Sequence, residues 1–307
     1  YASPGALNWE SVLVQIRDTK PDYLYLNSMY STCFTIYPLL MKRLGMIKGQ
    51  VVLAPRGMLK STAVQYKTGK KQLFFKLLKW LRVHKQIIFH ATDATEETDI
   101  RNLFGKDVTI KQITNFPPQQ KALQIINKQS GAIKIIFVGR VHPIKNLSFL
   151  LTCLQTITAK VQLTIVAAIE DEAYWIKCGD IINNLTERVT VKLQQDIPHH
   201  QIEQLINDHH LFVLPTLGEN FGHAIFEALS AGRPVLISDQ TPWRNLQEYY
   251  AGWDLSLSDE AAFVRVLQQV AAMDDEAYQQ WSTGAWQYAK NFTESSDLKE
   301  KYKELFS

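Results

Sequence analysis

Cysteine is scarce: Cys33, Cys153 and Cys178 are the three in 307 residues. They share no paired spacing, which argues against a disulfide framework or a structural zinc site and fits a reducing, cytoplasmic compartment. Long apolar runs are missing too. The longest, such as 133–138 and 211–215, are far too short to span a bilayer. No signal peptide is visible. The glycine spacing of G-x-G-x-x-G and of the Walker A loop is absent, which disfavours a dehydrogenase or a P-loop enzyme. There is no D-x-D motif in a loop after a strand and no His/Cys cluster at metal-ligand spacing, so no metal is expected. The pairs His199-His200 and His209-His210 lack companions and read as surface residues. Glu170-Asp171-Glu172 reads as a helix start, where acids suit the dipole.

Negative charge is missing from one long stretch. Residues 23–92 contain no Asp or Glu but twelve Lys and Arg. Residues 1–118 hold 17 basic against 8 acidic side chains, and residues 119–307 hold 16 against 22. The first part therefore either faces something anionic or presents a solvated basic face. No recognised nucleic-acid motif accompanies the charge, so nucleic acid is not an expected partner.

What is present is a regular alternation. Short β-branched or aromatic runs recur at 23–26, 51–53, 87–89, 110–114, 133–138, 161–166, 189–193, 212–214 and 235–237. Most are separated by stretches with helical periodicity, such as Ile202, Leu205 and Ile206, or Phe263, Val266, Leu267 and Val270. This is the signature of α/β architecture with parallel sheets, and the apolar runs imply strands covered on both faces. The length suits about two domains, and Asn115-Phe116-Pro117-Pro118 followed by a polar stretch reads as the linker. Two Rossmann-like lobes facing a cleft are expected, with ligands at the carboxyl ends of the strands.

Two loops at such strand ends carry the candidate chemistry. Gly139-Arg140-Val141-His142-Pro143-Ile144-Lys145 follows the run 133–138 and precedes a helix. Gly139 permits a tight turn, and Arg140 and Lys145 beside a helix N-terminus suit a diphosphate. Leu214-Pro215-Thr216-Leu217-Gly218-Glu219-Asn220-Phe221-Gly222-His223 then leads from a strand into a helix containing Glu227. Amides of Asn220, Phe221 and Gly222 suit a phosphate. A carboxylate suits vicinal hydroxyls, and Glu227 among apolar neighbours needs a partner. Together these groups point to a nucleotide-linked sugar.

The sequence resembles retaining GT-B glycosyltransferases of family 4, a group that includes bacterial polysaccharide sugar transferases. The resemblance rests on Phe137-Val138-Gly139-Arg140 with Lys145, on Glu219 and Glu227 in an E-x7-E arrangement, and on Ala231-Gly232-Arg233-Pro234-Val235 leading to Ser238-Asp239. Pro55-Arg56-Gly57-Met58-Leu59 and His90-Ala91-Thr92 are similar to segments of the family's acceptor domain. It implies that Arg140 and Lys145 hold the donor diphosphate, Glu227 takes the ribose hydroxyls and Glu219 contacts the donor sugar. Phe221-Gly222-His223 would approach the phosphates and the sugar. It implies a UDP- or GDP-sugar donor with no other cofactor and no metal, and a glycan or lipid-linked acceptor. It implies residues 1–118 as the acceptor-side lobe, 119–290 as the donor lobe, and 291–307 as a helix crossing back to the first lobe. Without a metal, Arg140, Lys145 and amide dipoles must neutralise the leaving group.

Departures from the pattern qualify that expectation. Arg56 stands where many members have His, and Arg cannot act as a base; Arg56 and His90 are the acceptor-side candidates. A glycine-rich loop and strands that precede 23–26 in the family are not matched, so the first lobe is expected to be incomplete and to support poor transfer. The remaining alternatives are a nucleotide-sugar epimerase or a donor-binding piece without activity. The helix at 70–85, basic with an apolar face, reads either as core-facing or as an interfacial helix making peripheral contact with an anionic membrane at the inner face.

Overall fold

The computed structural model describes residues 8–59, 68–117, 120, 122–295 and 297–307. Lys60, Lys67 and Pro118, used in the sequence reading, lie outside the described residues, as do the side chains of Lys70, Lys71 and Leu73. The chain divides into two units, Tyr1–Phe116 with Asp297–Ser307, and Pro117–Ser296.

The first unit is built on a four-stranded parallel sheet in the order β1-β2-β3-β4, formed by Tyr23–Leu26, Gln50–Leu53, Ile87–Ala91 and Thr109–Gln112. Helix α1 (Trp9–Thr19) precedes β1, and the crossovers run through α2 (Tyr37–Arg43), α3 (Thr68–Trp80) and α4 (Ala94–Phe104). Local sequence explains the helix starts. Asn8 and Ser11 form a reciprocal capping box on α1. Asp93 accepts the Glu96 amide at 2.8 Å to start α4. One face of the sheet meets a core that includes Val51, Leu53, Phe75, Leu78, Phe89 and Ile100. The final helix, which follows α10 of the second unit and is numbered α11 (Leu298–Leu305), packs with Val52 and Ile113 of this unit. Its Tyr302 hydroxyl donates to the Thr114 carbonyl at 3.3 Å.

The second unit carries a six-stranded, all-parallel sheet in the order β10-β9-β8-β5-β6-β7. Its strands are β5 (Ala132–Val138), β6 (Lys160–Val166), β7 (Val189–Gln194), β8 (Leu211–Leu214), β9 (Val235–Ser238) and β10 (Gly252–Leu255). The helices are α5 (Leu147–Gln155), α6 (Glu172–Asn183), α7 (His199–Asn207), α8 (His223–Ser230), α9 (Glu260–Ala272) and α10 (Asp275–Ser295). Every residue of β8 and β9 is buried, which is the burial that their unbroken apolar sequences require. β10 was not among the sequence-predicted strands, because Gly252-Trp253-Asp254-Leu255 contains no β-branched residue. Gly252 is required there: at φ +147 a Cβ would lie 2.1 Å from the Val235 carbonyl oxygen.

The polar stretch after Pro117 is less of a free linker than its composition suggested. Lys128 is buried, and its ammonium donates to the carbonyls of Ala271 and Met273, each at 3.1 Å. The His209-His210 pair is also a correction: both are buried. His209 shares a 2.7 Å hydrogen bond with Thr164, and His210 Nδ1 accepts the Lys134 amide at 3.0 Å. Burial pushes the His210 pKa down to about 4, so the ring is neutral at pH 7 and its Nε2 donates to the Asn127 carbonyl at 3.2 Å.

Candidate active site

In the second unit the chain winds outward from β5 to β7, then returns to β8 and winds the other way to β10. The reversal falls between β5 and β8. In an open parallel sheet the loops leaving the two central strands diverge at such a point and open a crevice at the carboxyl ends. Both candidate loops leave from here, and main-chain bonds tie them together. The Leu217 amide and the Thr216 hydroxyl donate to the Ile144 carbonyl at 2.8 and 2.9 Å. The Glu219 amide donates to the Gln240 carbonyl at 3.0 Å, which fastens the loop after β9 to the same rim.

The path of the first loop is set locally. The His142 ring accepts the Ile144 amide at 3.2 Å, Pro143 begins a 3-10 turn, and Asn146 at φ +56 redirects the chain into α5. This brings Lys145 across to the second loop, where its ammonium pairs with the Glu219 carboxylate. Their side chains are only 16% and 13% exposed, so the pair is largely desolvated. Gly139 needs no special backbone; a Cβ there would meet Lys145 Cγ at an ordinary 3.6 Å.

Arg140 is engaged differently from the expectation. It is half-exposed and makes a two-pronged contact with Glu170, with Nη1 at 3.0 and 2.8 Å from the two carboxylate oxygens. Asp171, not Glu170, caps α6 by accepting the Tyr174 amide at 2.9 Å. Glu170 was thus the functional neighbour that the sequence reading passed over, since a helix-start acid is ordinarily just that.

The second loop delivers α8. Gly222 adopts φ +75 at the start of that helix, with no side-chain cap, and the first-turn amides point out of the helix end. A Cβ on Gly222 would lie 2.8 Å from Ile225 Cδ1. Phe221 is 3% exposed; its ring packs against His223, Phe226, Trp243 and Phe292, and its carbonyl accepts the Trp243 indole N–H at 2.6 Å. Phe221 can therefore offer a ligand its backbone but not its side chain, which agrees with the expectation that its amide is the group facing a phosphate. Trp243 is core packing that fixes this loop. Asn220 and His223 flank Phe221 and Gly222 on the same short segment.

Glu227 lies one turn into α8 with its side chain 21% exposed. Its pKa is raised, first by burial and also by Glu203, while His199 lowers it. His199 Nε2 lies 3.7 Å away, an exposed partner that the sequence reading had left as plain surface.

The first unit has a cluster of its own at the carboxyl ends of β1, β2 and β3. Arg56, at φ +54, donates from Nε to the Asn27 side chain at 2.6 Å and from Nη2 to the Tyr25 hydroxyl at 3.0 Å. Tyr25 in turn meets His90 Nδ1 at 2.6 Å, and burial pushes its pKa up to about 12. Buried Glu96 accepts the Gly57 amide at 2.6 Å and the Thr92 amide and hydroxyl at 2.8 and 2.7 Å, fixing the turn that carries Arg56. His90 is fully buried, and its Nε2 is engaged with the Ile113 carbonyl at 2.7 Å. It braces Tyr25 and has no exposed surface for an acceptor, so of the two acceptor-side candidates His90 is a support of the cluster rather than a group open to a ligand. Burial also lowers its pKa.

Concavity alone would have pointed elsewhere: a cavity of about 950 Å³ opens at the amino ends of β5, β6 and β7, at the opposite edge of the sheet from these loops.

Residues 132–272 match the family model described as "Glycosyl transferases group 1". The second unit thus carries a glycosyltransferase group 1 domain, and both candidate loops fall inside it. No curated protein sequence matches the chain. Among solved structures, Anabaena HepE in complex with UDP and glucose aligns with a TM-score of 0.69 at 16% identity, over 99% of this chain and 82% of that one. Sucrose-phosphate synthase from Thermosynechococcus elongatus gives 0.69 at 16%, over 100% and 80%. S. aureus TarM, in a complex that includes UDP, gives 0.69 at 14%, over 97% of this chain but only 59% of its own. At these identities the likeness establishes the fold, two Rossmann-like parallel sheets of the GT-B kind.

Proposed function

We propose that the protein is a retaining, metal-independent glycosyltransferase. It moves a hexose from a UDP- or GDP-sugar to a glycan or lipid-linked acceptor in surface polysaccharide synthesis. The observation that carries the donor assignment is the meeting of Lys145, Glu219 and the start of α8 at the β5/β8 reversal point. It joins a largely desolvated ammonium and a row of amides to a carboxylate. Support for the donor class comes from HepE and TarM, each of which was crystallised with UDP.

In this reading the diphosphate lies against the α8 amides and Lys145. Arg140 leaves or shares Glu170 to join it. Glu227 accepts the two ribose hydroxyls, and Glu219 faces the sugar. The cations and amide dipoles stabilise the negative charge that develops on the departing diphosphate. A phosphate oxygen of the leaving group accepts the acceptor's proton on the face it vacates, so no side-chain base is needed. In this reading charge neutralisation falls to Arg140 and Lys145. On the first unit, Arg56 is the acceptor-side cation. Its side-chain partners Asn27, Tyr25 and Tyr302 are all uncharged, so its charge remains for an anionic group such as an acceptor phosphate. No described helix is long and apolar enough to cross a membrane. In this reading the protein works in the cytoplasm, with peripheral contact at the inner membrane face.

The test is a thermal-shift screen of nucleotide sugars, followed by transfer assays with the donor that stabilises most. Stabilisation by one UDP- or GDP-sugar and anomer-retaining transfer are expected. Release of an epimerised sugar with donor alone would replace this reading with an epimerase. Donor binding without transfer to any glycan or lipid-linked acceptor would leave a binding module.

A further inference from the structure

The first unit exposes large apolar side chains where its charge is most one-sided. Trp80, at the end of α3, is 77% exposed; Leu77, one turn earlier, is 46% exposed; and Leu44, just past α2, is 67% exposed. The two helix ends adjoin, because Arg43 Nε donates to the Leu81 carbonyl at 2.6 Å. The core-facing side of α3 is accounted for by Phe75 and Leu78, which are 3% and 5% exposed. Leu77 and Trp80 are therefore not spare core residues; packing has left them outside. Around them stand exposed Arg43, Lys76, Lys79 and Arg82. Residues 23–92 hold no acid to neutralise these cations. Beyond the end of α3, Lys85 pairs with Asp107 at 3.8 Å.

We infer that these adjoining ends of α2 and α3 form a docking surface for an anionic phospholipid bilayer. The inference rests on the peripheral-membrane reading above and names its residues. Trp80, Leu77 and Leu44 enter the boundary between headgroups and acyl chains, where the amphipathic indole is favoured. Arg43, Lys76, Lys79 and Arg82 meet the lipid phosphates. An apolar cluster alone would fit a second protein copy equally well. The collar of cations selects a surface of opposite charge, which disfavours a symmetric pairing of this stretch with its own copy; the dimer arm of the test below covers any other self-contact.

The experiment is co-sedimentation of the full chain with vesicles of phosphatidylcholine alone and of equal parts phosphatidylcholine and phosphatidylglycerol, at low and high salt. UDP binding is measured by calorimetry on the same preparations. Binding is expected only to the anionic vesicles and is expected to weaken with salt. Lys79→Glu and Arg82→Glu should each lower it by about five-fold or more, and Trp80→Ala by about ten-fold. Thermal melting of each variant should match the parent, because these side chains are exposed. Three results would overturn the inference: no binding to anionic vesicles, equal binding by the variants, or a concentration-dependent dimer abolished by Trp80→Ala. If vesicle binding fails while UDP still binds, docking falls and the transferase reading stands. If vesicles bind and UDP does not, the reverse holds.

Discussion

Replacing Glu227 with Gln separates the two halves of the proposed donor site. In the free protein this carboxylate is held in a largely buried position on α8, and burial raises its pKa. A carboxyl whose pKa is higher folded than unfolded contributes stability below the unfolded value. That contribution is lost as the pH rises through the folded value. At pH 7 the ionised side chain is therefore a cost to the free protein, and the neutral amide should melt at the same temperature or slightly higher. Ligand binding should respond in the opposite sense. Hydroxyls donating to a carboxylate form charge-assisted bonds, and losing the charge while keeping one acceptor costs about 2 kcal/mol, about thirty-fold in Kd. Pyrophosphate does not reach Glu227 and should bind as before. Calorimetry with UDP and with pyrophosphate, on parent and variant, reads both effects. UDP affinity of the parent should also fall as the pH drops through the raised pKa, and that dependence should flatten in the variant. Equal weakening of UDP and pyrophosphate, or no weakening of either, would refute the ribose role.

The other predictions address the supports of the site. Glu170→Gln should release Arg140 from a half-exposed two-pronged pair, which is worth up to about 1 kcal/mol, and tighten UDP by up to about five-fold by calorimetry. Gly222→Ala places a Cβ in the left-handed region and against Ile225. It should cost about 1–2 kcal/mol, lower the melting temperature by a few degrees and weaken UDP and pyrophosphate alike, because it moves the α8 amides. His210 has a folded pKa of about 4, below its unfolded value near 6.5. The stability it contributes is present above the unfolded value and is lost as the pH falls from about 6.5 towards 4. Melting curves of the parent should decline across that window more steeply than those of His210→Asn.

Much of the fold was legible because parallel strands buried on both faces have unbroken apolar sequences. The run 133–138 and the segment 212–214 both became strands close to their expected bounds. The loops after them were legible because chemistry-bearing residues stand directly at strand ends. Strand order was not legible, and it is the order β8-β5 that makes neighbours of Lys145 and Glu219, 74 residues apart. The same limit hid the partners of Arg140, Glu227 and Arg56. Glu170, His199 and Tyr25 each come from a different segment and have ordinary local explanations. The His209-His210 pair misled because adjacency suggested a surface pair, whereas the bonds to Thr164 and to the Lys134 amide are made by distant strands. The burial of the Phe221 ring was not legible either: only the fold shows that this ring sits beside Trp243 and Phe292, leaving the loop its backbone.

A crystal structure of the protein with UDP tests the central claim most directly. The account predicts the diphosphate within hydrogen-bonding distance of Lys145, Arg140 and the first amides of α8, with the ribose against Glu227. UDP bound at the amino ends of β5–β7, with Lys145 still paired to Glu219 and Arg140 to Glu170, would contradict it.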